Sequence, residues 1–137
     1  MKLDPSAFVA DPELIEALEA RITPVVCDAD YVLFRQGEVP TGLYLLQYGS
    51  ATLSMIGDKG ETVSSFETTE GALLGLPGVI GNQPYTLTAI AHNGARLGYV
   101  SRDEFTALMK SEPLLALRIL RVLAAEVRTA REALTHI

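Results

Sequence analysis

The chain has 137 residues, 48% of them apolar and 20% charged, with a formal charge of −6, one Cys and two His. That length suits one domain, it holds no apolar run of the roughly 18–20 residues that would span a membrane, and the opening MKLDPSAFVADPE lacks a secretion signal's apolar centre. Cys27 has no second Cys to pair with, which points to a reducing compartment and makes the cytoplasm the expected location.

Asp11-Pro12-Glu13 reads as a helix start, Asp as N-cap and Pro at the first helical position. Leu14, Ile15, Leu18 and Ile22 continue it at helical spacing as far as Pro24. Short strands are then expected at Pro24–Cys27, Tyr31–Phe34, Leu43–Gln47, Ala51–Ile56, Thr62–Phe66, Tyr85–Ala91 and Leu97–Val100, divided by Gly, Pro, Asp and Asn. Gly57-Asp58-Lys59-Gly60 and His92-Asn93-Gly94 read as hairpin turns. Many short strands with frequent turns argue for a mostly β fold, an antiparallel roll or barrel, rather than βαβ units.

Ser101-Arg102-Asp103-Glu104 has capping-box spacing and opens a helix with Phe105, Leu108 and Met109 on its apolar side. Glu112-Pro113 ends it and starts a long final helix. There Ala116, Leu120, Leu123, Val127, Ala130, Leu134 and Ile137 form a heptad seam, while a second row, Leu115, Ile119 and Val122, stops midway. The first half has apolar surface for the roll as well as the seam. The second half has little besides the seam, so another helix is expected to cover it.

From Met1 to Pro113 there are 7 basic and 15 acidic residues, net −8, while Leu114–Ile137 carries 4 Arg and 2 Glu, net +2. An acidic body repels a phosphate backbone, so this chain is not expected to contact nucleic acid. Catalytic patterns are lacking too. No Ser lies in a G-x-S-x-G frame, Gly71, Gly75, Gly78 and Gly81 match no phosphate-binding fingerprint, and Glu67 and Glu70 read as a solvated loop pair. His92 alone in a turn and a Cys27 expected to be partly buried rather than reactive make a metal centre or haem an unfavoured reading. The chain is expected to be a non-enzyme without cofactor.

The stretch Leu33–Gly49, LFRQGEVPTGLYLLQYG, decides among β folds. Gly37 and Pro40/Gly42 mark two turns that fold flanking strands into a tight corner. Leu33, Gly37, Glu38, Leu43–Leu46 and Gly49 resemble the first signature of the cyclic-nucleotide-binding domain family, the sensor fold of catabolite-activator-type (Crp-Fnr) regulators; Phe34 and Pro40 depart mildly. The resemblance spans about residues 10–135. It implies a single sensor domain, an N-terminal helix and β-roll over 10–112 and a C-terminal dimerisation helix over 113–137, with no DNA-binding domain inside the chain.

The family's phosphate-binding cassette aligns without a gap on Leu74–Ala89 through Gly75, Pro84 and Thr88. Yet its ribose-binding Glu falls on Leu76 and its phosphate-binding Arg on Tyr85. A buried anion without a cation costs several kcal/mol or more, and a phenol cannot replace a bidentate guanidinium. The cassette residues Gly75, Leu76, Gly78, Val79, Tyr85 and Thr86 are therefore expected either to take a less charged, more apolar effector or to be packed shut. Arg96 is the one nearby cation able to compensate. The resemblance also implies a homodimer through the final helix (Leu120, Leu123, Val127), with Thr129 where the family touches a ligand base. Two functions follow: an effector-sensing domain that does not bind cyclic AMP or cyclic GMP in the usual way, or a ligand-free interaction and scaffold module. A helix-turn-helix pattern beyond Ile137 would favour the first.

Overall fold

The computed structural model describes residues 9–135, and the side chains of residues 127 and 129 and of 130–135 lie outside that description. The expected Asp11 cap forms, its Oδ1 accepting from the Leu14 amide at 2.9 Å. Helix α1 (Pro12–Glu19) buries Leu14 and Leu18 but stops earlier than its apolar spacing predicts. Pro24 biases the preceding residue towards extended backbone, so β1 (Thr23–Val26) begins immediately and Ile22 packs on the sheet instead.

The strands β2 (Tyr31–Phe34), β3 (Gly42–Tyr48), β4 (Ala51–Ile56), β5 (Thr62–Thr68), β6 (Leu73–Leu74), β7 (Thr88–Ala91) and β8 (Arg96–Ser101) follow, with α2 (Leu76–Gly81) between β6 and β7. Helices α3 (Arg102–Ser111) and α4 (Pro113–Thr135) complete the order. Two antiparallel four-stranded sheets, β1-β8-β3-β6 and β2-β7-β4-β5, face each other as a roll.

Two cores result. Phe34, Leu46, Leu53, Leu74, Ala89 and Leu97 fill the space between the sheets. Leu14, Leu43, Leu45, Leu73, Val100, Phe105, Leu108 and Ile119 fill the space between the first sheet and the helices. The centre of that sheet is thus buried on both faces, which is why Leu43–Leu46 of β3 reads as an unbroken apolar run. In β4 the inward Ala51, Leu53 and Met55 alternate with more exposed residues.

Three expectations are corrected. The strand expected from Tyr85 begins only at Thr88, because the Tyr85 backbone pairs with a turn: Gly37 N donates to Tyr85 O at 2.8 Å and Tyr85 N to Glu38 O at 3.0 Å. His92-Asn93-Gly94 is not a hairpin turn, since it carries the chain from β7 in one sheet to β8 in the other. Glu67 lies within β5 rather than in a loop. Of the two elements not anticipated, β6 leads into the cassette and α2 lies within it.

Helix α3 starts as expected, Ser101 Oγ accepting from the Glu104 amide at 3.1 Å. Helix α4 packs on the domain through Leu115, Ile119 and Val122, all buried. Arg118 fastens it to α1, donating to Asp11 at 3.0 Å and lying 2.8 Å from Glu13.

Candidate functional site

The cassette starts where β6 ends. Gly75 has φ +94°, a conformation open to glycine, and turns the chain into α2, which Pro77 helps to start. Leu76 and Val79 on α2 are buried in the helix-side core. After Asn82 closes the helix in a left-handed conformation, Tyr85 enters the other core, inside the roll. Leu76 and Val79 on one side and Tyr85 on the other therefore serve two different interiors, while Thr86 is exposed.

Tyr85 is fully engaged. Its ring stacks on Phe34 with centroids 4.0 Å apart, its hydroxyl donates to Gly42 O at 2.7 Å, and the Thr41 amide donates to it at 3.3 Å. A Cβ placed on Gly75 would stand 3.0 Å from the Tyr85 ring, and one on Gly78 would stand 3.3 Å from it and 2.9 Å from Pro40. Both glycines thus let the cassette backbone close on Tyr85. Behind the stack lies Tyr44, whose phenol burial pushes up to about 12, with smaller effects from Tyr85 and Tyr99.

Arg96 does not reach this region. It is exposed at the start of β8, with its guanidinium 5.7 Å from the centre of the Tyr48 ring. The cation that does approach is Arg102 at the start of α3: Nη2 donates to Pro40 O at 2.6 Å, and Pro40 packs on Gly78. Its Nε is buried without a partner. The sequence hides this contact, which joins residues 62 positions apart.

On α4 the expected seam separates. Leu120 is 53% exposed, whereas Leu123 is half-buried against the helix-side core. Val127 and Thr129 lie outside the described side chains, as do Ala130 and Leu134, while Ile137 and His136 lie outside the described residues. The second apolar row does not stop at Val122, because its next position is Glu126, only 2% exposed with both carboxyl oxygens unpartnered. Burial pushes this carboxyl well above the usual carboxylate range. Its step of four from Val122 was the available signal. A groove of about 380 Å³, lined chiefly by Val79, Ile80, Phe105, Met109, Ile119 and Leu120, runs between α2, α3 and α4.

His92 is not the isolated side chain its turn suggested. Nε2 lies 2.6 Å from Thr52 Oγ1 and 3.1 Å from Glu67 Oε1, and Nδ1 lies 3.7 Å from Asp30. Cys27 is buried in the roll, and that burial, with a smaller effect from Asp28, pushes its thiol up. Among the described residues no three His, Cys, Asp or Glu are grouped to hold a metal ion, and no helix is long and apolar enough to cross a membrane.

The family model for the cyclic nucleotide-binding domain matches residues 24–112, about two-thirds of the chain. The chain belongs to the cyclic nucleotide-binding domain family. The match runs from β1 through α3 and contains the whole cassette. Among solved structures this domain is similar to the catabolite activator protein of Thermus thermophilus, with TM-score 0.77 and 22% identity over 96% of this chain and 62% of that one. The N-terminal domain of a transcriptional regulator from Streptomyces coelicolor gives 0.66 and 21% identity over 95% of this chain and 90% of that one. The sensor domain of the regulator DNR from Pseudomonas aeruginosa gives 0.66 and 22% identity over 89% of this chain and 82% of that one. At these identities the likeness is one of fold. The chain spans less than two-thirds of the Thermus protein. No curated protein matches it in sequence.

Proposed function

We propose that this cyclic nucleotide-binding domain is the sensor part of a Crp-Fnr-type transcription regulator, acting in the cytoplasm by binding rather than catalysis, and unresponsive to cyclic AMP and cyclic GMP. The observation that carries this reading is Tyr85. It stands where the family places its phosphate-binding Arg, yet its ring covers Gly75 and Gly78 and its hydroxyl is committed to Gly42. Leu76, in the ribose-binding Glu position, is 0% exposed.

Hydrogen bonds to charged groups contribute about 1.5–3 kcal/mol each. Losing both charged groups removes roughly 4–6 kcal/mol, about a thousandfold or more in affinity. Titration calorimetry with cyclic AMP and cyclic GMP should show no binding at micromolar concentrations, and a dissociation constant below about ten micromolar would overturn the reading. Leu76→Glu together with Tyr85→Arg should recover binding if the backbone of the cassette is intact.

The exposed Leu120 beside a helix-facing groove supports a homodimer through α4 in this proposal. The same closed cassette also supports a second reading, a ligand-free dimeric module that serves as a docking scaffold. Failure of the double variant to bind any cyclic nucleotide while remaining folded favours the module.

A further inference from the structure

Glu126 is the one acidic side chain among the described residues that is buried with both oxygens unpartnered. It continues the row Leu115, Ile119, Val122 by which α4 packs on the domain, so it occupies the docked face and not the seam. Among the described residues α4 packs chiefly against α1, α2 and α3. Their charged groups are Asp11, Glu13, Glu16 and Glu19 on α1 and Arg102, Asp103, Glu104 and Lys110 on α3, while α2 carries none. Asp11 and Glu13 are bound to Arg118, Glu104 to Arg21 and Glu19 to Gln47, and Arg102 donates to Pro40. No hydrogen bond or ion pair joins any of them to Glu126.

A carboxylate in such a place loses its hydration and gains nothing in return, whereas the neutral acid loses far less. We propose that α4 docks on the domain around Glu126 only while Glu126 holds a proton, so that Glu126 is a pH-operated latch on this helix. A carboxyl favoured in its protonated form by folding gives a contribution that is complete below its unfolded value near pH 4 and is lost as the pH rises to its folded value. Each pH unit between those two values raises the population of the undocked helix about tenfold.

Hydrogen exchange of the α4 amides from Ile119 to Arg128, corrected for the intrinsic pH dependence of exchange, tests the latch. Wild-type protein should lose protection there by at least about tenfold between pH 5 and pH 8, while Glu126→Gln, neutral and of the same shape, stays protected at both. Equal pH dependence in the two proteins would overturn the proposal. Carbon-13 titration of the Glu126 carboxyl in the unmutated protein is the check that needs no variant. A midpoint well above that of a free glutamate supports the latch, and an ordinary midpoint removes it.

Discussion

Tyr85→Phe asks how firmly the cassette is closed. The change removes one hydroxyl and leaves the ring on Phe34, so it isolates two hydrogen bonds: to Gly42 O at 2.7 Å and from the Thr41 amide at 3.3 Å. A typical intramolecular hydrogen bond contributes about 0.5–1.5 kcal/mol net, and a buried group left without its partner costs about 1–3 kcal/mol. The first bond is short and buried and the second is long, so the loss should come to roughly 1.5–2.5 kcal/mol. For a chain of this size that lowers Tm by roughly 5–10 °C. Thermal denaturation followed by circular dichroism at one pH and salt concentration reads the change. Tyr85→Ala should cost more, about 3–5 kcal/mol, because a cavity and the stacking loss are added. A Tyr85→Phe protein within about 0.3 kcal/mol of wild type would refute the argument, since a free phenol facing an open pocket loses nothing structural.

Leu120→Glu places a charge on the exposed face of α4 and should convert a dimer to a monomer in sedimentation with little change in Tm. A wild type that is monomeric at tens of micromolar would end the dimer reading. Gly98→Ala should destabilise by about 1–3 kcal/mol in urea denaturation, because the new methyl meets the Ile22 side chain at 2.7 Å. Asp11→Ala should cost about 1 kcal/mol at neutral pH through the lost cap. The Leu14 amide, and then Arg118, hold the Asp11 carboxyl below its usual range, so its contribution is present above about pH 4. The difference between wild type and Asp11→Ala in parallel melts should therefore shrink as the pH falls below 4.

The readable parts of the fold are those governed by local rules. β2 and β4 begin and end where turn residues and alternation put them, and the caps at Asp11 and Ser101 need only three consecutive neighbours. The cassette was legible as a frame of spacings but not as a structure, because its shape depends on Tyr85 bonding a turn and a glycine some 40 or more residues away. The same holds for Arg102 on Pro40 and for His92 beside Thr52 and Glu67. Glu126 went unread because a charged residue inside an apolar row ends the pattern by composition. Geometry carries the row on regardless.

The wall made by β1, β8, β3 and β6 is one strand thick and has no solvent side over much of its area. In β3, Leu43 and Leu45 press on the helices while their neighbours Tyr44 and Leu46 press on the roll's interior. Adjacent residues of one strand therefore line two separate cores. Tyr85 stacks on Phe34 and Phe34 on Tyr44, while the strand neighbours Leu43 and Leu45 share a core with Phe105, Leu108 and Ile119, so packed contact is continuous across the sheet. The wall between the two cores thus joins the cassette to the helix side through side-chain contact alone.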